Sequence, residues 1–177
     1  MIMPAGHQQL LLPVRPWFIW FSLLLTLLLE MTLEMGLSGR AAWPPELLTV
    51  ALLFWIVHEP LRINVGAAFL FGLALDVHQG ALLGQHALAF TVLGYLATRV
   101  HRRLPWFALP TQALQVLPLL LAAHALQWLV RLLAGSGWPH WSALLSPLLE
   151  ALLWPVAHWL LLAPQRRPHE PDENRPL

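Results

Sequence analysis

The sequence predicts an all-α fold, a bundle of about six transmembrane helices with both ends in the cytoplasm, and three observations predict it. Hydrophobic residues make up 58% of the chain and charged residues only 11%, against roughly 45–50% and 25% in soluble domains. The surplus of Leu, Ala and Trp exceeds what one soluble core of this length could hide, so it must face lipid. Six apolar runs are separated by short breaks rich in Pro, Gly or Arg. With six spans assumed, Arg15, Arg62, Arg99, Arg102, Arg103, Arg166, Arg167 and Arg175 fall on one side, and Arg40 and Arg131 on the other. That asymmetry follows the positive-inside rule and places both termini in the cytoplasm.

The first run, Trp17 to Leu29, is almost unbroken and can extend toward Leu37. No A-x-A type cleavage site follows it, so it reads as an uncleaved first helix. Gly36 to Glu46, with the Pro44-Pro45 pair, is turn chemistry. The second helix runs from about Leu47 to Val57 and ends at His58-Glu59-Pro60, because Pro60 lacks a backbone donor and biases Glu59 away from helix. The third runs from Ile63 to Asp76. A segment rich in Gly, Gln and His, Val77 to His86, separates it from the fourth, Ala87 to Val100.

Arg99, His101, Arg102 and Arg103 close the fourth helix, with Pro105 and Pro110 opposing simple continuation. The fifth spans Gln112 to Leu133. After the loop Gly135-Ser136-Gly137-Pro139, the sixth covers Ala143 to Leu162, interrupted by Pro147 and Pro155. Residues 1–165 thus read as one transmembrane domain, and the polar, Pro-rich residues 166–177 as a disordered cytoplasmic tail. Several runs are shorter than the roughly 20 residues that cross a bilayer core, so their flanks must contribute. Trp17, Trp43, Trp106, Trp138 and Trp141 lie near predicted helix ends, where amphipathic rings settle at headgroups.

Several function classes are excluded or disfavoured. All ten basic residues are Arg and nine acids nearly balance them, which speaks against a nucleic-acid face. With no Cys, there is no disulfide, thiolate metal site or Cys nucleophile. The nine His form no HExxH or HxH pattern, so no metal site is expected. Phosphate-loop and dinucleotide motifs are missing, and Gly135-Ser136-Gly137 echoes a nucleophile elbow only superficially. Neither catalytic residues nor a cofactor are expected.

Asp76 is the most conspicuous residue. A carboxylate at a helix centre costs about 2.5–3.5 kcal/mol on insertion scales, whereas each Leu, Ile, Phe or Val returns only about 0.3–0.6. The less costly placement is at the extracytoplasmic end, bonded to the following turn or capping the fourth helix. A buried contact that fixes helix packing, or a proton-relay role, are the alternatives. Gly80 and Gly84 follow Asp76 at four-residue steps: on a helix all three share one face, and otherwise the glycines make a loop beside Gln85 and His86. Gly66, Gly72 and Gly94 read as helix-packing positions. Glu30 and Glu34, four apart, could be paired acids, but a structural role near the outer interface and Arg40 is the plainer reading.

The block Gly72-Leu73-Ala74-Leu75-Asp76-Val77-His78-Gln79-Gly80, continued by Leu82-Leu83-Gly84-Gln85-His86-Ala87-Leu88, resembles the central signature of the rod shape-determining protein MreD family. The proline-broken Ala151-Leu152-Leu153-Trp154-Pro155 resembles its proteobacterial members. The resemblance implies a non-enzymatic component of the bacterial inner membrane. It would scaffold lateral peptidoglycan synthesis with MreC, the filament MreB, RodZ, RodA and RodA's class B penicillin-binding partner. Gly66, Gly72, Gly80 and Gly84 are then candidate contacts for the MreC membrane helix. Arg99, Arg102 and Arg103 are topogenic charge and an anchor to anionic lipid, worth about 1 kcal/mol each, or a contact for the cytoskeletal partner. The runner-up reading is a small-solute-binding transporter subunit of the energy-coupling-factor kind.

Overall fold

The computed structural model describes residues 15–37, 45–135, 137 and 141–165. The expectations for Arg40, Trp43, Ser136, Trp138, Arg166, Arg167, Arg175 and the tail 166–177 lie outside the described residues.

Among the described residues six α-helices form, in the order expected: α1 (Pro16–Leu37), α2 (Leu47–His58), α3 (Val65–Gln79), α4 (Gln85–Val100), α5 (Leu109–Leu133) and α6 (Ser146–Leu162). Their starts show how local chemistry sets boundaries. Asn64 caps α3, its Oδ1 accepting from the N–H groups of Gly66 and Ala67 at 3.1 and 3.2 Å. Pro110 opens α5 instead of ending a segment, and Pro147 does the same for α6. In the first turn the missing N–H has no intrahelical acceptor to lose. Ala143 to Leu145, read as the beginning of the sixth helix, belong to a separate 3-10 turn, Trp141–Leu145.

Among the described residues α1, α5 and the segment Ala143–Gln165 around α6 are long and apolar enough to cross a membrane. The 12-residue α2 covers only about 18 Å at 1.5 Å per residue. Its role is different. Every residue from Leu48 to Val57 is buried, as befits a helix apolar on all sides, and α1, α4 and α6 close around it. Trp55, wholly enclosed, satisfies its indole by donating to Ser22 Oγ on α1 at 2.8 Å. Trp154 on α6 likewise donates to Gln112 Oε1 on α5 at 3.2 Å. The outer surface carries Leu28, Leu70, Leu114, Leu133, Leu152 and Leu160, all exposed, an apolar coat suited to lipid.

The remaining order is sequential: α3 packs on α4, α4 on α5 and α5 on α6. At the α3–α4 contact, a Cβ on Gly72 would lie 2.6 Å from Ala87 Cα and N and 2.7 Å from the His86 carbonyl carbon. Gly72 therefore lets two backbones touch inside the chain, and the expectation that it faces a partner helix is corrected. Gly94 on α4 is also a packing position, facing Ile56, Ala68 and Val65. Gly66 is exposed near the start of α3.

Gly80 ends α3 at φ 59°, with its N–H donated to the Asp76 carbonyl, and Gly84 precedes α4 at φ 103°. The loop reading of these two glycines holds, and Asp76, Gly80 and Gly84 do not share a helix face. An added Cβ at Gly80 meets nothing within 4 Å, so Gly80→Ala isolates the left-handed backbone penalty. It is expected to destabilise by about 1 kcal/mol, read as a lowered thermal midpoint in detergent. A midpoint equal to wild type would reject this account of the turn.

Candidate functional site

Because successive helices alternate in direction, the ends of α1, α3 and α5 meet the beginnings of α2, α4 and α6. Polar side chains otherwise rare in these helices converge there. Each helix start leaves backbone N–H groups without intrahelical acceptors, and those groups attract anions. Glu30 of α1 reaches across to α2, its Oε2 accepting from Leu48 N–H at 2.9 Å. Asp76 of α3, wholly buried, does the same for α4. Its oxygens accept from the N–H groups of Gly84 and His86 at 2.8 Å and of Ala87 at 3.3 Å, and Oδ1 lies 2.7 Å from His86 Nδ1.

His86 links this cap to a second group of acids. Its Nε2 stands 3.7 Å from Glu46 Oε1. Glu46, immediately before α2, accepts at Oε2 from Thr49 Oγ1 at 2.7 Å and from Gln127 Nε2 of α5 at 3.2 Å. The Glu46 backbone N–H donates to Glu150 Oε1 of α6 at 3.1 Å, and the same oxygen meets His124 Nε2 of α5 at 2.8 Å. The network runs Asp76, His86, Glu46, Glu150, His124, and so ties α2 through α6 together at one end. Beside it opens a cavity of about 180 Å³ whose lining includes Glu46, Gln85, His86, His124, Gln127 and Arg131.

The structure thus brings Asp76, Gly84, Gln85 and His86 of the sequence motif into one place and leaves the other candidates elsewhere. Arg99, Arg102 and Arg103 are at the opposite end, with Arg15 and Arg62. Arg99 donates to Tyr95 Oη at 2.6 Å and lies 5.0 Å from that ring's centre, while Arg102 and Arg103 are exposed. Sequence reasoning missed Glu46, His124, Gln127 and Glu150 as site residues. The available signal was an ionisable side chain inside an apolar helix, which His124 and Glu150 both give.

A chain whose described residues form helices but no strand, three of them of membrane-crossing length and apolarity, with an apolar coat and a polar cluster at one end, is a helical membrane protein. The comparisons then specify which kind. Residues 13–163 match the family model of rod shape-determining protein MreD. The chain is 30% identical over 150 residues to the rod shape-determining protein MreD of Haemophilus influenzae, an alignment covering 81% of this chain and 88% of that protein. This chain belongs to the MreD family of rod shape-determining proteins. No solved structure matches it.

Proposed function

We propose that the chain is a multi-pass, non-enzymatic component of the bacterial inner membrane. Its six helices cross the bilayer with both ends in the cytoplasm, and it holds the cell-elongation complex together through MreC and the MreB cytoskeleton. RodZ, RodA and RodA's class B penicillin-binding partner complete that assembly. Family membership over residues 13–163 carries this reading. The charge placement supports the orientation: among the described residues, five arginines gather at one end and only Arg131 at the other. The polar cavity then faces the periplasm.

Partner helices in lipid gain no hydrophobic drive from meeting and depend on close packing. With Gly72 spent on α4, Gly66 with its exposed neighbours Phe69 and Leu70 is the outward candidate for the MreC membrane helix. The transporter-subunit reading is weakened by the cavity itself. At about 180 Å³ it is below the roughly 300–1,000 Å³ of pockets that enclose drug-sized solutes.

Depletion in a rod-shaped host tests the proposal. Cells are expected to become round, and the tagged chain to co-purify with MreC. Unchanged rods, together with co-purification of ATPase subunits, would reject it in favour of the transporter reading.

A further inference from the structure

We propose that Glu46, His124 and Glu150 form a binding site for one divalent transition-metal cation that clamps the start of α2 to α5 and α6. One ligand atom from each lies within 4.8 Å of the other two, the one such group among the described residues. The donors are an imidazole nitrogen and carboxylate oxygens without sulfur, a set suited to zinc and to manganese or iron in their divalent states. Around zinc, with bonds of about 2.0–2.2 Å, tetrahedral donors stand roughly 3.4 Å apart. The 2.8 Å contact between His124 Nε2 and Glu150 Oε1 needs only to open slightly, and the longer separations to close.

A second observation is independent of the cluster's composition. Glu150 is fully buried, and its Oε2 has no hydrogen-bond partner among the described residues. Among the protein's own described groups, neither protonation state gives that atom a partner. An ionised carboxylate would leave it without a donor, and a proton placed on it would have no acceptor, and a buried polar atom resists both. A cation held by both oxygens of the Glu150 carboxylate satisfies the ionised form, Oε2 included.

The other groups fit the same occupant. Glu46 Oε2 is held in place by Thr49 and Gln127, while Oε1 has His86 Nε2 at 3.7 Å, beyond hydrogen-bond length. His86 itself is oriented by Asp76 on its other nitrogen, the arrangement that fixes a metal-binding imidazole. It can therefore approach as a fourth donor. Glu46 and His124 also line the cavity, which gives the ion an entry path. On binding, the proton shared by His124 Nε2 and Glu150 Oε1 leaves to solvent, and the cation takes its place between them.

The test uses the full chain, purified in detergent, stripped with a chelator and titrated with Zn2+ against a chromophoric competitor. One equivalent is expected to bind with release of a proton and to raise the thermal midpoint. Glu150→Gln and His124→Asn should each weaken binding by roughly 100-fold or more. His58→Asn, in the other half of the bundle, should leave it unchanged. Co2+ bound to the unaltered chain should show the visible spectrum of a site with imidazole and carboxylate ligands, a reading that does not depend on any variant folding. Absence of saturable binding, zinc affinity that survives Glu150→Gln and His124→Asn together, or a Co2+ spectrum without imidazole ligation would each overturn the proposal.

Discussion

Asp76→Ala is expected to destabilise the chain by about 3–5 kcal/mol, the range for removing one partner of a buried charged contact. The thermal midpoint in detergent should fall by roughly 10 °C for a chain of this size. The cost comes from what is left behind. Three backbone N–H groups at the start of α4, those of Gly84, His86 and Ala87, lose their acceptor together with His86 Nδ1. Asp76 is wholly buried, and His86 nearly so, so water does not readily replace the carboxylate at the buried N–H groups of His86 and Ala87. Asp76→Asn should fall between the two, because it keeps one acceptor oxygen but turns an amide NH2 toward donors. An Ala variant that matches the wild-type midpoint would show that the carboxylate does not hold the α3–α4 junction.

That junction was partly legible in the sequence. Six apolar runs with turn residues between them gave the helices, since lipid-facing and core-facing helices alike must be apolar. An acid at the end of one run, followed by Gly and His, pointed to Asp76 as a cap. What single-sequence patterning does not contain is which helix a polar side chain faces. Glu46 and Glu150 bond across 104 positions, and no periodicity within α6 signals its contact with the start of α2. The burial of α2 on every side was equally hidden, because a run apolar all round reads the same whether lipid or protein surrounds it. From sequence, Pro110 opposes continuation into the next span and Pro147 interrupts the sixth helix. Their effect depends on falling in a first turn, which is known only once the boundary is known.

Gly72→Ala is the smallest change expected to have a large effect. Small residues let membrane helices approach closely, whether the neighbour belongs to a partner or to the same chain, and the sequence motif alone does not distinguish these. The geometry does. The added methyl would stand 2.6 Å from two backbone atoms of Ala87, and a backbone has no rotamer with which to yield. The helices must separate by most of an ångström, which lengthens every bond from Asp76 to the start of α4 as well. A loss of about 3 kcal/mol is expected, the upper end for overpacking, or roughly 6–12 °C in midpoint. Gly66→Ala is the control, since its nearest new neighbour is the Asn64 side chain at 3.3 Å and should change the midpoint little. The two changes should also separate in cells. Gly72→Ala should lower the amount of folded protein and with it every interaction, whereas a partner-facing glycine would lose one interaction at normal abundance. A Gly72→Ala chain of wild-type stability that no longer co-purified with MreC would return Gly72 to the outer surface and overturn the packing assigned here.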